Sequence, residues 1–349
     1  MILAAGHVSV SVPVLEMSAV GAAGRLATAQ AEASGFSKAD IDRVALVVAE
    51  AGNNLVLHGG GGELLLRSWA SKSAVRSLEI LALDHGPGMA NFTASLRGGA
   101  AASAGSSKGL AAIQRLSTAF DVFSAPGKGT VLLSRIDSGP ALPAAGSGLW
   151  WGAVCVARLE EEVTGDAWAV QEREGFATLL VVDGLGHGLH AFDAAAQALR
   201  TFWQSPEASP EPLLRALDSS LKGTRGVAAA VAEFDWAKRE LHFAGVGNIS
   251  ASLFTPDAKT RSLVSHNGTA GQSIDRIQEF IHPWPEGGLL VMHSDGLSFR
   301  WDLDAYPGLS QKDPSLIAAV LYRDFARRQD DAVVVVARER VREQPGEAP

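Results

Sequence analysis

The chain has 349 residues, of which 47% are hydrophobic and 19% charged. That is long enough and apolar enough for two packed domains. A net charge of −8 gives no basic footprint of the kind nucleic-acid binders present. The single cysteine, Cys155, excludes an internal disulfide framework, fits a reducing cytoplasm, and lies in an apolar run where buried packing is its expected role.

The first basic residue is Arg25, so no secretory signal with a basic start is read at the front. Ser37-Lys-Ala-Asp40 has the form of a capping box, and Ile41, Val44, Val47 and Val48 follow at helical spacing. Glu50 and Asn54 share one face of that predicted helix at i and i+4, and the helix dissolves in Gly59–Gly62. Two strand-like runs come next, Glu63–Trp69 and Leu78–Leu83, the second ending in Asp84-His-Gly-Pro-Gly-Met89. Gly105-Ser-Ser-Lys-Gly109 opens another helix, where glycines let backbone N–H groups approach phosphates. Pro126-Gly-Lys-Gly-Thr130 then predicts a hairpin turn.

The ordered set Glu50…Asn54, Asp84-x-Gly86-x-Gly88, Gly105…Gly109 and Gly127-x-Gly129-Thr130 resembles the GHKL ATPase fold of histidine kinases and anti-sigma serine kinases. Within that group it looks most like the RsbT-type stressosome kinases, over about 21–136. The resemblance implies an ATP site in which Asn54 holds Mg²⁺ and Asp84 accepts from the adenine amino group. Gly86 and Gly88 would shape the pocket, Gly109 would meet the phosphates, Thr130 would line the adenine side, and Glu50 would be the general base. The sequence departs from the family at Ser107, where the lid usually carries its central glycine.

Between Asp137 and Arg158 no residue is charged. The stretch is long enough to cross a bilayer, but Pro140, Pro143 and several glycines make it a linker running into a strand near Trp150. No membrane span is expected.

Beyond the linker the pattern turns to short strands with two helical stretches, Leu189–Trp203 and Pro314–Arg328. Val227–Trp236 and Leu241–Phe254 read as one hairpin. Asp183-Gly184 and Asp295-Gly296 each end an apolar run, and Asp330-Asp331 begins one. Carboxylates at strand rims can converge on hard divalent cations, and a two-metal site suits phosphoester hydrolysis.

Gly165-Asp166, Asp183-Gly-x-Gly-His-Gly, Phe243–Ile249, Asn267-Gly-Thr-x-Gly271, Ser294-Asp-Gly296 and Asp330-Asp331 stand in the order of the SpoIIE and RsbX-type PP2C phosphatases. This resemblance spans about 149–338. It implies two Mn²⁺ or Mg²⁺ ions bridged by Asp183, with the Gly184 carbonyl, Asp295 and Asp330 completing the set and Asp166 as a further ligand or an acid standing behind the ligands. Water activated there would attack a phosphoserine or phosphothreonine directly. Asp331 is expected as a neighbour of the ligands, Asn248 and Asn267 as turn formers, and no arginine near the motifs as a phosphate clamp.

The expected fold class is α+β, a GHKL ATPase α/β sandwich over 1–137, a linker over 138–148, a PP2C-like αββα sandwich over 149–340 and a tail over 341–349. The expected function is a cytoplasmic, bifunctional kinase and phosphatase of a partner-switching pathway, with STAS-domain proteins as partners and no nucleic acid or membrane. Two alternatives stand beside it: a phosphatase with an ATP-binding sensor domain, or a non-catalytic anti-sigma-type module. The sequence leaves open whether the chain pairs with a second copy.

Overall fold

The computed structural model describes residues 8–70, 75–90, 106–139, 148–257 and 260–340. They fall into two compact units that are not contiguous in sequence. One comprises Ala4–Leu142 and Asp302–Asp324; the other comprises Pro143–Trp301 and Phe325–Pro349. The stretch 302–324 therefore belongs with the front unit and departs from the contiguous 149–340 block. Among the described residues no helix is long and apolar enough to cross a membrane.

In the front unit the elements run β1 (Val10–Val14), α1 (Met17–Ala33), α2 (Lys38–His58), β2 (Gly62–Ala70), β3 (Arg76–Asp84), α3 (Ser106–Leu116), β4 (Ala119–Ser124) and β5 (Thr130–Ser138). The strands form one antiparallel sheet in the order β1-β2-β3-β5-β4. Helix α2 starts as its capping box requires: the Asp40 amide donates to Ser37 Oγ at 3.2 Å. It ends at His58, before the glycines. Helix α1 carries no comparable signal, because its buried stripe is Val20, Ala23, Ala27 and Ala31.

Strand residues alternate faces. Leu64, Leu66, Leu78, Ile80, Ala82, Leu132 and Ile136 pack on the helices, in one core with Val44, Val47, Val48, Leu55 and Ile113. The opposite face bears Leu65, Leu81, Leu83, Val131 and Leu133, all buried, together with Glu63, Arg67 and Glu79. The returning stretch 302–324, which holds all but the last residue of α6 (Pro314–Phe325), bonds to that face. Tyr322 Oη donates to Glu63 Oε1 at 3.2 Å, Arg135 Nη2 donates to Ser315 Oγ at 3.4 Å, and Lys312 Nζ pairs with Asp121 Oδ1 at 2.8 Å. A buried ionic group lies beneath: Glu79 takes Arg67 Nη2 at 2.6 Å and Arg135 Nη2 at 2.7 Å. Burial alone would raise the Glu79 carboxyl, but the two guanidinium groups outweigh it and hold it below its usual range.

The second unit contains β6 (Leu149–Val156), β7 (Asp166–Arg173), β8 (Phe176–Gly184), α4 (Leu189–Gln204), α5 (Pro210–Ser220), β9 (Val227–Asp235), β10 (Glu240–Val246), β11 (Ser250–Phe254), β12 (Thr260–Leu263), β13 (Gly268–Thr269), β14 (Ser273–Ile274), β15 (Phe280–Pro283), β16 (Leu289–His293) and β17 (Ala332–Glu339). Two five-stranded sheets, β15-β10-β9-β8-β7 and β12-β11-β16-β17-β6, face each other. Trp168, Leu179, Val181, Phe234, Phe243, Leu290, Met292, Val333 and Val335 fill the space between. Cys155 is buried in that core. Helices α4 and α5 cover the outer face of the first sheet through Ala194, Ala198, Phe202, Leu213 and Leu217, packed on Leu180, Val182 and Val231.

Two local readings change here. Leu241–Phe254 is not one arm of a hairpin: β10 and β11 lie in different sheets. The chain crosses at Gly247, whose φ is +91° and where a Cβ would come within 2.5 Å of Ala228 Cβ. Helix α5 was hidden because Ser209-Pro-Glu-Pro212 reads as loop. Its prolines occupy the first turn, where a missing N–H costs no helical hydrogen bond.

Candidate functional site

The front unit brings its motif residues into one cradle. Glu50 and Asn54 project from α2 toward Gly109 at the start of α3. A Cβ on Gly109 would lie 2.7 Å from Glu50 Oε2 and 3.7 Å from Asn54 Oδ1. Asn54 Nδ2 is buried and has no hydrogen-bond partner among the described residues. A buried amide of that kind is costly unless a ligand satisfies it. Asp84 closes the far side, its Oδ1 accepting from the Gly86 amide at 2.8 Å and the Thr130 amide at 3.1 Å. Oδ2 accepts nothing among the described residues and is left for a donor such as an exocyclic amine. Burial is the larger influence on this carboxyl and raises it, against those amides and Arg323.

Glycine is required at two turns here. Gly88 and Gly129 have φ of +68° and +69°, and a Cβ on them would lie 2.0 Å from the Ala125 carbonyl and 2.1 Å from the Asp84 carbonyl. The loop is anchored by the Met89 amide, which donates to Ser124 Oγ at 2.8 Å; Ser124 Oγ in turn lies 2.9 Å from Thr130 Oγ1. The donor set fits a nucleotide with a divalent ion. Gly105 and the lid up to it lie outside the described residues, as does the side chain of Ser107.

In the second unit, Asp166 and Asp183 are register partners on β7 and β8. Ser294 Oγ donates to Asp166 Oδ2 at 2.6 Å, and the Val333 amide donates to the same Oγ at 3.2 Å. Asn248 Nδ2 donates to Asp295 Oδ2 at 2.8 Å. Both oxygens of Asp331 are committed to backbone, Oδ1 to the Arg158 amide at 2.9 Å and Oδ2 to the Gly165 amide at 2.7 Å. Asp331 thus ties β6 and β7 together. Gly296 is forced by close approach: a Cβ there would lie 1.8 Å from the Asp331 carbonyl.

These carboxylates repel one another. Burial first, then Asp295, Asp330 and Asp331, push Asp183 up to about 7. Burial and Asp183 raise Asp166 well above its usual range, and burial and Asp295 raise Asp330, opposed by Arg158. An all-oxygen, like-charged set of this kind suits hard divalent cations such as Mg²⁺ or Mn²⁺. The chain's own residues therefore fit a metal centre.

A tighter trio exists elsewhere: Asp235, Glu240 and His242 place ligand atoms within 4.8 Å of one another. It is already satisfied, with His242 bonded to Glu279 and Glu240, and Asp235 paired with Lys238.

Three residues around the metal centre differ from the sequence reading. Asn248 orients a candidate ligand rather than merely forming a turn. The expectation that no arginine stands near the motifs is overturned twice. Arg158 lies beside Asp330 and Asp331, with its Nε buried and without an acceptor among the described residues. A Cβ on Gly186 would lie 2.7 Å from Arg225 Nη1, so that guanidinium rests on the loop after Asp183. The exposed His187 pairs with Glu161 at 3.0 Å.

Comparison with known proteins follows the same division. Residues 14–135 match the histidine kinase-like ATPase domain, and residues 174–340 match stage II sporulation protein E. Serine/threonine-protein kinase RsbT of Bacillus subtilis is 30% identical over 109 residues, covering 31% of this chain and 81% of RsbT. A chain solved in work on the bacterial stressosome, described as a modular system adapted to control secondary messenger signalling, is 28% identical. It covers 55% of this chain and 100% of its own length, with a TM-score of 0.51. RsbX in complex with magnesium is 16% identical, covering 57% of this chain and 99% of its own, with a TM-score of 0.49.

Proposed function

Since the chain belongs to the RsbT serine/threonine-protein kinase family through its front half and carries a SpoIIE-type PP2C phosphatase domain behind it, we propose that it is a bifunctional regulator of a partner-switching pathway in the cytoplasm. The front unit phosphorylates serine or threonine on STAS-domain partners, and the second unit removes the phosphate. Phosphorylation adds about −1.5 to −2 charges to a partner surface, enough to switch an interface. Carrying both activities on one chain raises the local concentration of each at a shared substrate.

The phosphatase reading is carried by the mutually repelling set Asp166, Asp183, Asp295 and Asp330, which runs from buried Asp166 through half-buried Asp183 and Asp330 to exposed Asp295. Two Mn²⁺ or Mg²⁺ ions held by these residues and the Gly184 carbonyl would, when bound, polarise the phosphoryl oxygens and activate water. Ser294 and Asn248 fix Asp166 and Asp295 in place. Arg158 and Arg225 supply positive charge at the rim for a phosphate dianion.

For the kinase reading, Asp84 would select adenine, Asn54 would hold a Mg²⁺ ion that neutralises phosphate charge, and Glu50 would take the proton of the attacking hydroxyl. As its oxygen bonds to the γ-phosphorus, the bond to the ADP leaving group breaks. Such transfer depends on positioning and charge neutralisation. A second reading, an ATP-binding sensor without transfer, is favoured by Ser107 in the lid.

The test is phosphate transfer and release on a STAS partner encoded nearby, using wild type, Glu50→Ala and Asp183→Asn. Glu50→Ala should lose transfer, and Asp183→Asn should accumulate phosphorylated partner. Absence of both transfer and release in the wild type would overturn the proposal; nucleotide binding without transfer would leave the sensor.

A further inference from the structure

We infer that occupancy of the nucleotide site and of the metal centre are linked through the stretch 302–324, with Arg323 as a residue that positions the adenine-reading loop; this rests on the two sites proposed above.

The chain leaves the metal-bearing unit shortly after Asp295 and returns to it shortly before Asp330. Exit and return are strapped together. Leu297 and Ala326 form an antiparallel bridge, the Ser298 amide donates to the Phe325 carbonyl at 2.9 Å, and the Arg327 amide donates to the Gly296 carbonyl at 2.7 Å. The Asp330 amide then donates to the Arg327 carbonyl at 3.0 Å. A change in how this stretch is held therefore acts on the backbone of both candidate ligands, Asp295 and Asp330.

The far end of the same stretch is built into the nucleotide loop. The Arg323 side chain is 2% exposed and divides its donors between two tasks. Nη1 donates to the Asp84 carbonyl at 3.0 Å. Nε and Nη2 make a forked pair with Asp324, at 2.7 and 2.9 Å. Asp324 is fixed in turn by Tyr306 Oη at 2.8 Å, and the Tyr306 ring lies 6.0 Å from Phe123 and 4.1 Å from Lys128 Nζ. Asp84 is thus held at both ends, its carboxylate by the Gly86 and Thr130 amides and its carbonyl by Arg323. A guanidinium fork is rigid and always charged, so it fixes the carbonyl direction as a lysine would not.

A base bound at Asp84 favours the geometry that Arg323 braces. Holding that geometry orders 302–324, and ordering it fixes the roots of Asp295 and Asp330. Coupling of this kind is reciprocal, each ligand changing the other's affinity by the same factor. It needs no change of fold, only a cost of ordering met once for both ligands.

The test uses the full chain with adenosine, which has no phosphates to chelate metal, and Mn²⁺. Free Mn²⁺ is followed by its paramagnetic resonance signal, and adenosine by calorimetry. Saturating adenosine should tighten the apparent Mn²⁺ Kd about five-fold or more, the lower end of usual allosteric factors. Mn²⁺ should tighten adenosine by the same factor. Arg323→Met should bind adenosine more weakly and bring the factor close to one, and the milder Tyr306→Phe should reduce it. Equal Mn²⁺ affinity with and without adenosine, while both bind, overturns the linkage alone, as does undiminished coupling in both variants. Failure of either ligand to bind the wild type overturns the underlying site assignment and the linkage together.

Discussion

Asp166 and Asp183 stand directly opposite each other on the neighbouring antiparallel strands β7 and β8. Cross-strand partners share a face, and like charges in that position destabilise a sheet. Both are also buried or nearly so. The arrangement makes sense when cations sit on that face. Chelating the protein should therefore lower its Tm, and Mn²⁺ should restore it, by about 2.7 kcal/mol at a hundred times Kd. A calorimetric scan unchanged by chelator and Mn²⁺ would contradict the metal centre.

Asn248 is the only described side chain donating to Asp295. Removing groups that orient metal ligands typically costs about 10- to 100-fold in affinity or activity. Asn248→Ala should lower phosphatase kcat/KM by that order, with Mn²⁺ dependence shifted to higher concentration. An unchanged Mn²⁺ profile would reduce Asn248 to a turn residue.

Asp84→Asn replaces an acceptor with an amide that can present a donor to the adenine amino group. Hydrogen bonds to charged groups are worth about 1.5–3 kcal/mol, so nucleotide affinity should fall roughly 10- to 100-fold. Gly129→Ala should do as much damage through the backbone, since its Cβ would meet the Asp84 carbonyl. Calorimetric titration with a non-hydrolysable ATP analogue measures both. Wild-type affinity in Asp84→Asn would move the adenine elsewhere.

Glu79→Gln removes the shared counter-charge of Arg67 and Arg135 on the buried sheet face. Breaking a buried pair by deleting one partner costs about 3–5 kcal/mol. Urea unfolding should show a loss of this order. Because the Glu79 carboxyl is held below its ordinary range, its contribution is present above the unfolded-state value and is lost as pH falls through the folded one. The variant should therefore differ from wild type least in strong acid.

Tyr306 is one of two tyrosines. Burial, then its hydrogen bond to Asp324, pushes its phenol up to about 12. The folded value lies above the ordinary one of about 10. Its contribution to stability is therefore complete below the unfolded value and disappears as pH rises through 12. Phenolate absorbance of the folded protein should show a late component that Tyr306→Phe abolishes. Titration of both tyrosines near 10 in the native protein would show that the Asp324 bond does not form.

Much of both sites could be read from residues close together in sequence. The capping box before α2, the Glu50/Asn54 face, the Asp84 loop and the rim aspartates announce themselves because local chemistry demands particular residues at short spacing. What stayed hidden lacks such spacing. Helix α1 buries a stripe of alanines with weak contrast against its surroundings. Arg158 beside Asp330 and Arg225 against Gly186 come from between motifs, Arg158 just after β6 and Arg225 just before β9. Nothing in Pro314–Phe325 says which sheet it will cover, for an apolar helix fits any apolar face. The charged residues of the β2–β3–β5 face gave a hint, since Glu79, Arg67 and Arg135 alternate with buried leucines and valines and so share their face.

Because the helix backing the front sheet lies far along the chain, after most of the second unit, neither unit is one continuous stretch of sequence. A front unit ending before residue 143 would lack the strip that bonds to one face of its sheet. No single start or stop codon could release the front unit with both faces covered.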